Sequence, residues 1–469
     1  MKLFQIEKPF ALIIFGASGD LAKLKLFPAL YSLAEQHRLP KEYYIVGYAR
    51  TEKERKNFQK EFEQSIKDHH KDINKKILKS MTEKVYYFSG QYDKKADFQK
   101  LKTYLKDLSK KPGITKLAYF SVPPIVFKDI IKNLGETKNS ANEDLRLIIE
   151  KPFGEDTKSA QELFHYVARY FSEECIYLLD HYLGKTAVQS LLHLRHSNRI
   201  LNFMIKGPEI ANIQISALEH SGVKDRAGYF NQVGTIKDMV QSHLLQILAL
   251  IAMSIPISED PESLHREKES ILSALKFSES PRNLVIGQYE SYKKEKDIPK
   301  NSKTETFVGL RLFINRETWY KTPIYIRTGK KLKQKHTYVV IELKKFEFQE
   351  KDEEPNRLIF ELQPDERVSI KLINKNGSNM EYKTVTTEAT IACTSDNCLP
   401  EHALLLLDVI QKKRRYFLSF QEIIATWRIA DAIKKTTEKM KVECYKDLSR
   451  GPISQDKLTK IDGFTWHEL

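Results

Sequence analysis

Cysteine is scarce in this chain. The 469 residues include four cysteines, and none of them forms a CxxC pair. Cys393 and Cys398 are the nearest two, but no histidine pair accompanies them at the spacing that zinc sites use. We therefore expect no metal site and no secreted disulfide framework, and we expect a reducing, cytoplasmic location.

Long apolar runs are missing as well. The most apolar stretch, Leu244 to Met253, is about half as long as a membrane span and contains Gln246. Near the N-terminus, Glu7 and Lys8 interrupt the apolar core that a signal peptide requires. We expect neither a membrane anchor nor a membrane partner.

Dense tracts of one charge sign are absent, although the net charge is +15. Lysines alternate with acidic residues, as in KKEKD at 293–297, and basic residues do not cluster with aromatic ones. We expect no nucleic-acid partner. The positive charge favours anionic partners such as phosphorylated metabolites, although a generally lysine-rich genome would produce the same surface.

What the chain does contain is a regular alternation of predicted strands and helices, which is typical of a doubly wound α/β domain. FALIIF at 10–15 is a continuous apolar run that ends at Gly16, and a helical pattern over 20–37 and a second run at 43–48 follow it. Further runs of this kind lie at 85–88, 117–122, 145–149 and 176–179. Strands that alternate with charged helices predict a Rossmann-like parallel sheet over residues 1–180.

Past residue 200 the pattern changes. Strand-like segments, several of them partly alternating, succeed one another, with helices such as 238–254 between or after them. These segments are 211–218, 306–314, 337–347, 357–363 and 367–373. Neighbouring strands predict a large, mostly antiparallel sheet with helices, so that residues 181–469 form a second, α+β domain.

The first predicted strand runs directly into a glycine loop. Between this strand and the first helix, in a GxxGxxA pattern, lie Gly16, Ala17, Ser18, Gly19, Asp20 and Leu21. Glycines there let a pyrophosphate approach the backbone, and the helix N-terminus offers N–H groups and the positive end of its dipole. We interpret the loop as a dinucleotide site; an ordinary strand-to-helix turn is the alternative.

The second strand ends at Arg50, where a fold that prefers NAD often carries an acidic residue for the ribose 2′-hydroxyl. A guanidinium attracts a 2′-phosphate by its charge and its forked donors, and Thr51 adds a hydroxyl. We predict NADP as the cofactor. An exposed arginine without a ligand is the alternative.

Two histidine segments are candidates for the chemistry. DHYLGK at 180–185 follows a predicted strand, where the ligands of such sheets gather, and His243 lies in the apolar helix 238–254. Oxidation of an alcohol needs a base, usually histidine, and Asp180 would orient that base if the two segments meet. An interior histidine with satisfied partners is the alternative for His243.

A third segment, EKPFG at 150–154, also stands at a strand end. It places Lys151 where both cofactor and substrate are expected, and Pro152 permits a cis peptide bond. A strand-terminating turn with a surface lysine is the alternative.

Taken together, these motifs resemble the glucose-6-phosphate dehydrogenase family. They occur in order along most of the chain: GASGDLAK at 16–23, VGYAR at 46–50, EKPFG at 150–154, DHYLGK at 180–185, RAGYF and KDMVQSHLLQ within 226–246, and RTGKKL at 327–332. Six motifs in this order are far more specific than one glycine loop.

The resemblance implies oxidation of C1 of D-glucose 6-phosphate to 6-phospho-D-glucono-1,5-lactone, with hydride transfer to NADP, as the first step of the oxidative pentose phosphate pathway. It implies that His243 is the general base and that Asp180 pairs with it. It also implies a homodimer or a dimer of dimers, formed through the C-terminal domain that binds the substrate.

The same resemblance assigns the other site residues. The substrate is implied to contact Lys151, His181, Tyr182, Lys185, Glu219, Asp238, Lys330 and Lys335, of which His181, Tyr182 and Lys185 hold the 6-phosphate. The coenzyme is implied to contact Gly16, Ala17, Ser18, Gly19, Asp20, Leu21, Lys25, Arg50 and Lys151.

Several positions depart from the family pattern. Ser242 replaces the usual asparagine before the catalytic histidine, Thr186 follows DHYLGK, Asn231 replaces an aspartate and Lys237 an arginine. We expect these changes to affect substrate orientation and turnover. Some members hold a second, structural NADP; Glu361 places an anion where such members carry a cation, so we expect none here.

Three other functions remain open. A sugar oxidoreductase of the Gfo/Idh/MocA type shares the domain plan and an EKP motif, but not DHYLGK with a later QxHLLQ. A nucleic-acid-binding protein would use the positive charge. A catalytically inactive relative would bind NADP as a sensor, against which the retention of His243, Asp180, Lys151 and Lys185 argues.

Overall fold

A computed structural model describes residues 6–109, 114–138, 144–258, 260–349, 353–376, 381–393 and 398–469. These residues form two compact units. Unit 1 contains Met1–Lys185 and Thr394–Phe420, and unit 2 contains Thr186–Cys393 and Gln421–Leu469. The predicted domains, 1–180 and 181–469, differ from this division mainly in the segment Thr394–Phe420.

The strands of the described residues are β1 (Phe10–Phe15), β2 (Tyr43–Ala49), β3 (Val85–Ser89), β4 (Thr115–Phe120), β5 (Leu145–Glu150), β6 (Ile176–Leu179), β7 (Ile210–Leu218), β8 (Leu275–Lys276), β9 (Leu284–Tyr289), β10 (Phe307–Ile314), β11 (Ile324–Gly329), β12 (His336–Leu343), β13 (Arg357–Gln363), β14 (Arg367–Asn376), β15 (Glu381–Thr390) and β16 (Glu443–Tyr445).

The α-helices are α1 (Phe27–Glu35), α2 (Arg55–His69), α3 (Lys75–Thr82), α4 (Lys95–Leu108), α5 (Phe127–Thr137), α6 (Thr157–Ala168), α7 (Thr186–Ser197), α8 (Arg199–Met204), α9 (Ala227–Thr235), α10 (Leu245–Ala252), α11 (Pro261–Ala274), α12 (Glu401–Ile410), α13 (Phe420–Thr437) and α14 (Asp456–Lys460). Two π-helical segments, Ala22–Leu26 and Ile236–Leu244, precede α1 and α10.

The sheet of unit 1 is parallel throughout, in the order β3-β2-β1-β4-β5-β6. Its central strands consist of apolar residues because helices cover both faces, and all six residues of β1 are buried. The strand order reverses between β1 and β4, which is where doubly wound sheets open a crevice for ligands.

The segment Thr394–Phe420 joins unit 1 through an apolar face of α12. Ala403, Leu406 and Val409 of this helix belong to the same core as β1 and α1. The guanidinium of Arg146 in β5 also donates to the carbonyls of Val409 and Ile410, at 2.5 and 2.8 Å. The helical pattern near residue 400 does not reveal this partner, because only the tertiary packing brings α12 beside α1.

Unit 2 is built on a ten-stranded sheet in the order β15-β14-β13-β12-β7-β11-β10-β9-β16, with β8 paired to β10. Most neighbours are antiparallel, whereas β7 pairs with β11 and β9 with β16 in parallel. Unit 1 and unit 2 therefore confirm the predicted fold class, a Rossmann-like parallel sheet followed by a large, mostly antiparallel sheet with helices.

Two local features differ from the sequence analysis. The predicted helix 238–254 is divided into the π-helical segment Ile236–Leu244 and α10. Cys393 and Cys398 are disulfide-bonded, a pairing that the sequence analysis did not predict, whereas Cys175 and Cys444 are free. Among the described residues, no helix is both long and apolar enough to cross a membrane.

Candidate active site

The functional residues predicted in unit 1 follow the ends of its parallel strands. Gly16 follows β1, Arg50 follows β2, Lys151 follows β5 and Asp180 follows β6. Because the carboxyl ends of parallel strands meet at one edge of a sheet, all four residues lie along that edge.

Gly16 holds a conformation that only glycine tolerates there. Its φ is +82°, and a Cβ atom would lie 2.1 Å from the carbonyl oxygen of Ser121. The Gly16 N–H donates to the Tyr48 carbonyl at 2.8 Å, and the Gly19 N–H donates to the Gly16 carbonyl at 2.9 Å. These bonds close a tight turn that leads from β1 into the first helix.

The glycine loop is suited to a dinucleotide phosphate. Ser18, Gly19 and Asp20 are exposed, Leu21 is half-buried, and Ala17 is buried beneath the turn. The helix begins at Asp20, so its first N–H groups and the positive end of its dipole lie at the exposed loop. The residues present therefore fit a bound pyrophosphate.

Arg50 is exposed at the end of β2, and its guanidinium lies 5.8 Å from the ring centroid of Tyr92. Burial raises the pKa of Tyr92, which also bonds the backbone of Gly16. Tyr92 thus joins the two predicted cofactor segments. No sequence motif marked this tyrosine, because its role depends on the packing of the loop after β3.

Lys151 precedes a cis peptide bond to Pro152. Glu150, which the sequence analysis did not select, accepts a hydrogen bond from the Tyr119 hydroxyl and lies 3.8 Å from Nε2 of His402. Burial raises the pKa of Glu150 to about 7, with Asp180 adding to this rise and Lys151 opposing it. Burial lowers the pKa of His402 to about 4. Both side chains are therefore favoured in their neutral forms.

DHYLGK forms a compact turn after β6. Asp180 is buried, and its Oδ1 accepts a hydrogen bond from the Tyr182 N–H at 2.9 Å. The Lys185 ammonium lies 3.6 Å from the Tyr182 ring centroid, and the rings of His181 and Tyr182 are 5.2 Å apart. The turn gathers the three residues that the resemblance assigns to the phosphate.

Three predicted substrate residues form one cluster in unit 2, which we call the carboxylate–lysine cluster: Glu219, Asp238 and Lys330. Glu219 follows β7 and Lys330 follows β11, and these strands are parallel neighbours, so both residues stand at the same strand ends. The Lys330 ammonium contacts the Glu219 carboxylate and lies 4.0 Å from Oδ2 of Asp238. Alternating anions and a cation suit a ligand rich in hydroxyl groups.

The π-helical segment Ile236–Leu244 carries both Asp238 and His243. His243 is 1 % exposed, at the apolar end of this segment. The adjacent Gln241 donates to the Thr426 hydroxyl at 3.0 Å, and the Ser242 hydroxyl donates to the Lys237 carbonyl at 2.8 Å. Ser242 therefore replaces the usual asparagine with a group that bonds its own helix.

The remaining predicted residues lie outside the carboxylate–lysine cluster. Lys25 is exposed on the π-helical segment before α1, and Lys335 is exposed just before β12. In the part of the chain that the structure describes, no ion pair joins Lys335 to the cluster. Asn231 accepts hydrogen bonds from Tyr292 at 3.1 Å and Ser302 at 2.6 Å, so this departure serves the packing of α9 against the segment between β9 and β10.

Glu361, expected to oppose a second NADP, is engaged by a histidine and an arginine side chain. It lies 2.7 Å from Nε2 of His336 and accepts a hydrogen bond from Arg367 at 2.6 Å. An anionic ligand would have to compete with this buried carboxylate, so these residues do not fit a second dinucleotide.

A doubly wound parallel sheet with an exposed glycine loop at its switch point defines unit 1 as the dinucleotide-binding domain of a nicotinamide-dependent oxidoreductase. Comparison with known proteins identifies the family. The chain belongs to the glucose-6-phosphate dehydrogenase family: residues 13–190 match its NAD binding domain and residues 192–467 match its C-terminal domain. The predicted resemblance and enzymatic class are thereby confirmed.

Relatives match over nearly the whole chain. It is 33 % identical to the chloroplastic glucose-6-phosphate 1-dehydrogenase of Spinacia oleracea, over 99 % of this chain and 85 % of that protein. It is 35 % identical to the cytoplasmic glucose-6-phosphate 1-dehydrogenase 5 of Arabidopsis thaliana, over 97 % and 91 %. A solved glucose-6-phosphate dehydrogenase in complex with glucose 6-phosphate superposes with a TM-score of 0.92 at 29 % identity, over the full length of both chains.

Proposed function

We propose that this protein oxidises C1 of D-glucose 6-phosphate to 6-phospho-D-glucono-1,5-lactone, with NADP as the hydride acceptor, as the first step of the oxidative pentose phosphate pathway. The observation that carries this proposal is the carboxylate–lysine cluster, in a chain that belongs to the glucose-6-phosphate dehydrogenase family along its length. Glucose 6-phosphate, rather than a nucleic acid, is the anionic partner we propose.

The coenzyme site we propose lies along the glycine loop and the end of β2. Gly16 to Leu21 offer backbone N–H groups to the pyrophosphate, with Lys25 and Lys151 as further cations. Arg50 is exposed and held beside Tyr92, where its forked donors suit a 2′-phosphate. When bound, the nicotinamide ring supplies the hydride-accepting carbon.

The proposed chemistry of the chain itself is proton removal and positioning. His243 accepts the proton of the C1 hydroxyl as the general base, and Asp180 stabilises the imidazolium that results. We base this pairing on the family resemblance and on the chemistry of the two groups. Burial of His243 limits the access of bulk water to the base.

The substrate is held at its two ends in this proposal. His181, Tyr182 and Lys185 bind the 6-phosphate, whose double negative charge suits a cation and several hydrogen-bond donors. The carboxylates of the carboxylate–lysine cluster accept hydrogen bonds from the sugar hydroxyls, and Lys330 keeps these two anions close together. Lys335 adds a further cation toward the substrate.

The test is to follow absorbance at 340 nm with purified protein, glucose 6-phosphate and either NADP or NAD. Unphosphorylated glucose is the control. We expect NADPH formation that requires the 6-phosphate. Reduction with unphosphorylated glucose would contradict the proposed phosphate site. No reduction of either coenzyme by a folded protein that binds NADP would instead favour the inactive relative.

We further propose a cytoplasmic location and a homodimer or dimer of dimers formed through unit 2. Fractionation of cells and light scattering of the purified protein test these two points. A monomer at micromolar concentration would contradict the second.

A further inference from the structure

Two residues just before β10, Glu305 and Thr306, contact both segments that carry the substrate residues of unit 2. The Glu305 Oε1 atom accepts a hydrogen bond from the Ile236 N–H at 3.0 Å. Its backbone carbonyl accepts from the Thr235 N–H at 3.2 Å and from the Thr235 hydroxyl at 2.9 Å. Glu305 therefore anchors the first turn of the π-helical segment Ile236–Leu244.

The glycine beside this contact, Gly234, leaves space for the Glu305 carboxylate. Gly234, the last residue but one of α9, has a φ of +70°, which breaks the helix at this point. A Cβ atom at Gly234 would lie 2.5 to 3.0 Å from the carboxylate atoms of Glu305. A side chain at Gly234 would therefore push the carboxylate away from the Ile236 N–H.

Thr306 provides the second half of the connection. Its carbonyl accepts a hydrogen bond from the Lys330 N–H at 2.9 Å. On the other side, the Tyr445 hydroxyl donates to the Lys330 carbonyl at 2.7 Å and lies 2.9 Å from the Thr306 hydroxyl. The backbone of Lys330 is thus held by the residue next to Glu305.

We propose that Glu305 is a positioning residue, which holds the segment carrying Asp238 and His243 in register with Lys330. This inference rests on the substrate roles proposed above for these three residues. Glu305 acts as a hydrogen-bond acceptor at the start of the segment, and its neighbour Thr306 ties that start to the end of β11. A shift of this anchor would move the carboxylate of Asp238 and the imidazole of His243 together, away from Lys330.

The proposed role requires an acceptor rather than a charge. Glu305 is half-buried, and desolvation of its carboxyl group raises the pKa of Glu305, while the nearby Lys237 and Lys434 oppose that rise. Glutamine keeps the acceptor oxygen at the same place without the carboxylate charge. Glu305→Gln is therefore expected to retain the anchor, whereas Glu305→Ala removes it and leaves the Ile236 N–H without that partner.

The experiment compares the steady-state kinetics of the full-length enzyme with those of both Glu305 variants. For Glu305→Ala we expect kcat/KM for glucose 6-phosphate to fall at least about tenfold, since small displacements of positioned groups have effects of this size or larger. Part of this fall is expected to be a higher KM for glucose 6-phosphate, whereas the KM for NADP is expected to stay unchanged, and Glu305→Gln is expected to restore activity. This pattern separates positioning from a general loss of folded protein, which lowers kcat without changing either KM.

Two further variants control the result. Asp462→Ala removes the ion pair with Arg311 and the acceptor of the Tyr325 hydroxyl, outside the proposed site, and serves as a matched loss of stability in the same unit. Gly234→Ala keeps Glu305 but places a methyl group against its carboxylate. It is expected to reproduce the kinetic effect of Glu305→Ala, and it replaces that variant if the latter does not fold.

Three outcomes would overturn the inference. The first is a Glu305→Ala enzyme that resembles Asp462→Ala, with a lower melting temperature and unchanged kcat/KM. The second is a Glu305→Gln enzyme as impaired as the alanine variant, because charge would then matter and the acceptor would not. The third is an Asp238→Asn enzyme with unchanged kinetics; this outcome would also overturn the proposed substrate role of Asp238, which the first two would not.

Discussion

The two units position functional residues by the same rule within different kinds of sheet. In unit 1 all strands are parallel, so the carboxyl ends of all strands lie at one edge of the sheet. The predicted site residues Gly16, Arg50, Lys151 and Asp180 each follow one of these strand ends. In unit 2 most strands are antiparallel, yet Glu219 and Lys330 follow β7 and β11, a parallel pair inside that sheet. The comparison shows that the direction of the local strand pair matters here, not the class of the sheet.

The units differ in what holds their sites together. Unit 1 uses backbone hydrogen bonds around Gly16 and a buried carboxyl group, Glu150, that favours its neutral form. Unit 2 uses charged side chains, with the Lys330 ammonium near two carboxylates. We therefore expect variants of Gly16 and Glu150 in unit 1 to change coenzyme binding or pH-dependent stability, and variants of the unit 2 site to change catalysis on the sugar.

The largest effect is expected for His243→Asn in unit 2. Loss of a general base lowers kcat by about 10²- to 10⁴-fold, while the affinity for NADP, assigned to unit 1, stays unchanged. Stopped-flow or steady-state kinetics and a fluorescence titration with NADPH measure the two quantities. An unchanged kcat would remove His243 as the base, and a weakened coenzyme would break the division of labour between the units.

The next effect concerns how the stability of unit 1 depends on pH. Two neighbouring groups, Glu150 and His402, change this stability in opposite directions as the pH rises. The folded protein raises the pKa of Glu150 from 4.5 to about 7, so this group loses stabilising free energy as the pH rises through that range. The folded protein lowers the pKa of His402 from 6.5 to about 4, so this group loses stabilising free energy as the pH falls through that range. The two contributions to the free energy of unfolding have opposite signs, and in the wild type they largely cancel.

Single variants should therefore expose opposite slopes. The free energy of unfolding of Glu150→Gln is expected to rise with pH between 4 and 6.5, because only the contribution of His402 ionisation remains. That of His402→Gln is expected to fall between pH 4.5 and 7. Urea denaturation at several pH values measures both. Equal slopes in the two variants and the wild type would show that this pair does not control the stability of unit 1.

A smaller effect is expected for Gly16→Ala in the glycine loop. A side chain there must adopt a φ of +82° and avoid the Ser121 carbonyl oxygen, at a cost of about 2 kcal/mol. We expect weaker NADP binding and a lower melting temperature, with unchanged KM for glucose 6-phosphate. Gly463→Ala is the matched control, because Gly463 has a φ of +80° and no atom within 4 Å of the added Cβ. Equal coenzyme affinities in the two variants would contradict a role for the loop.

The smallest effect is expected for Arg50→Ala. The guanidinium is exposed, so its interaction with a 2′-phosphate is worth about 1.5 kcal/mol, roughly a tenfold rise in the KM for NADP. The KM for NAD, which lacks that phosphate, should change little. Parallel assays with both coenzymes measure the difference. An equal change for both would mean that Arg50 does not distinguish them.

Much of unit 1 could be predicted from the sequence because its signals are local. Continuous apolar runs predicted β1 to β6 to within a few residues, since strands covered by helices on both faces need apolar residues at every position. In unit 2, β8, β9, β11 and β16 escaped prediction, and so did β15. Its sequence, EYKTVTTEAT, is mostly polar, and a strand at the end of the sheet whose side chains are exposed at 383–390 carries no apolar signal.

The sequence by itself determined the family and located the glycine loop, and it predicted the individual site residues, because these depend on short motifs in a fixed order. Only the tertiary structure decided that α12 belongs to unit 1, that Tyr92 lies beside Arg50, and that Lys330 stands between Glu219 and Asp238. Each of these facts is a contact between residues far apart in the chain. Such contacts depend on strand order, register and packing, which no local pattern of residues records.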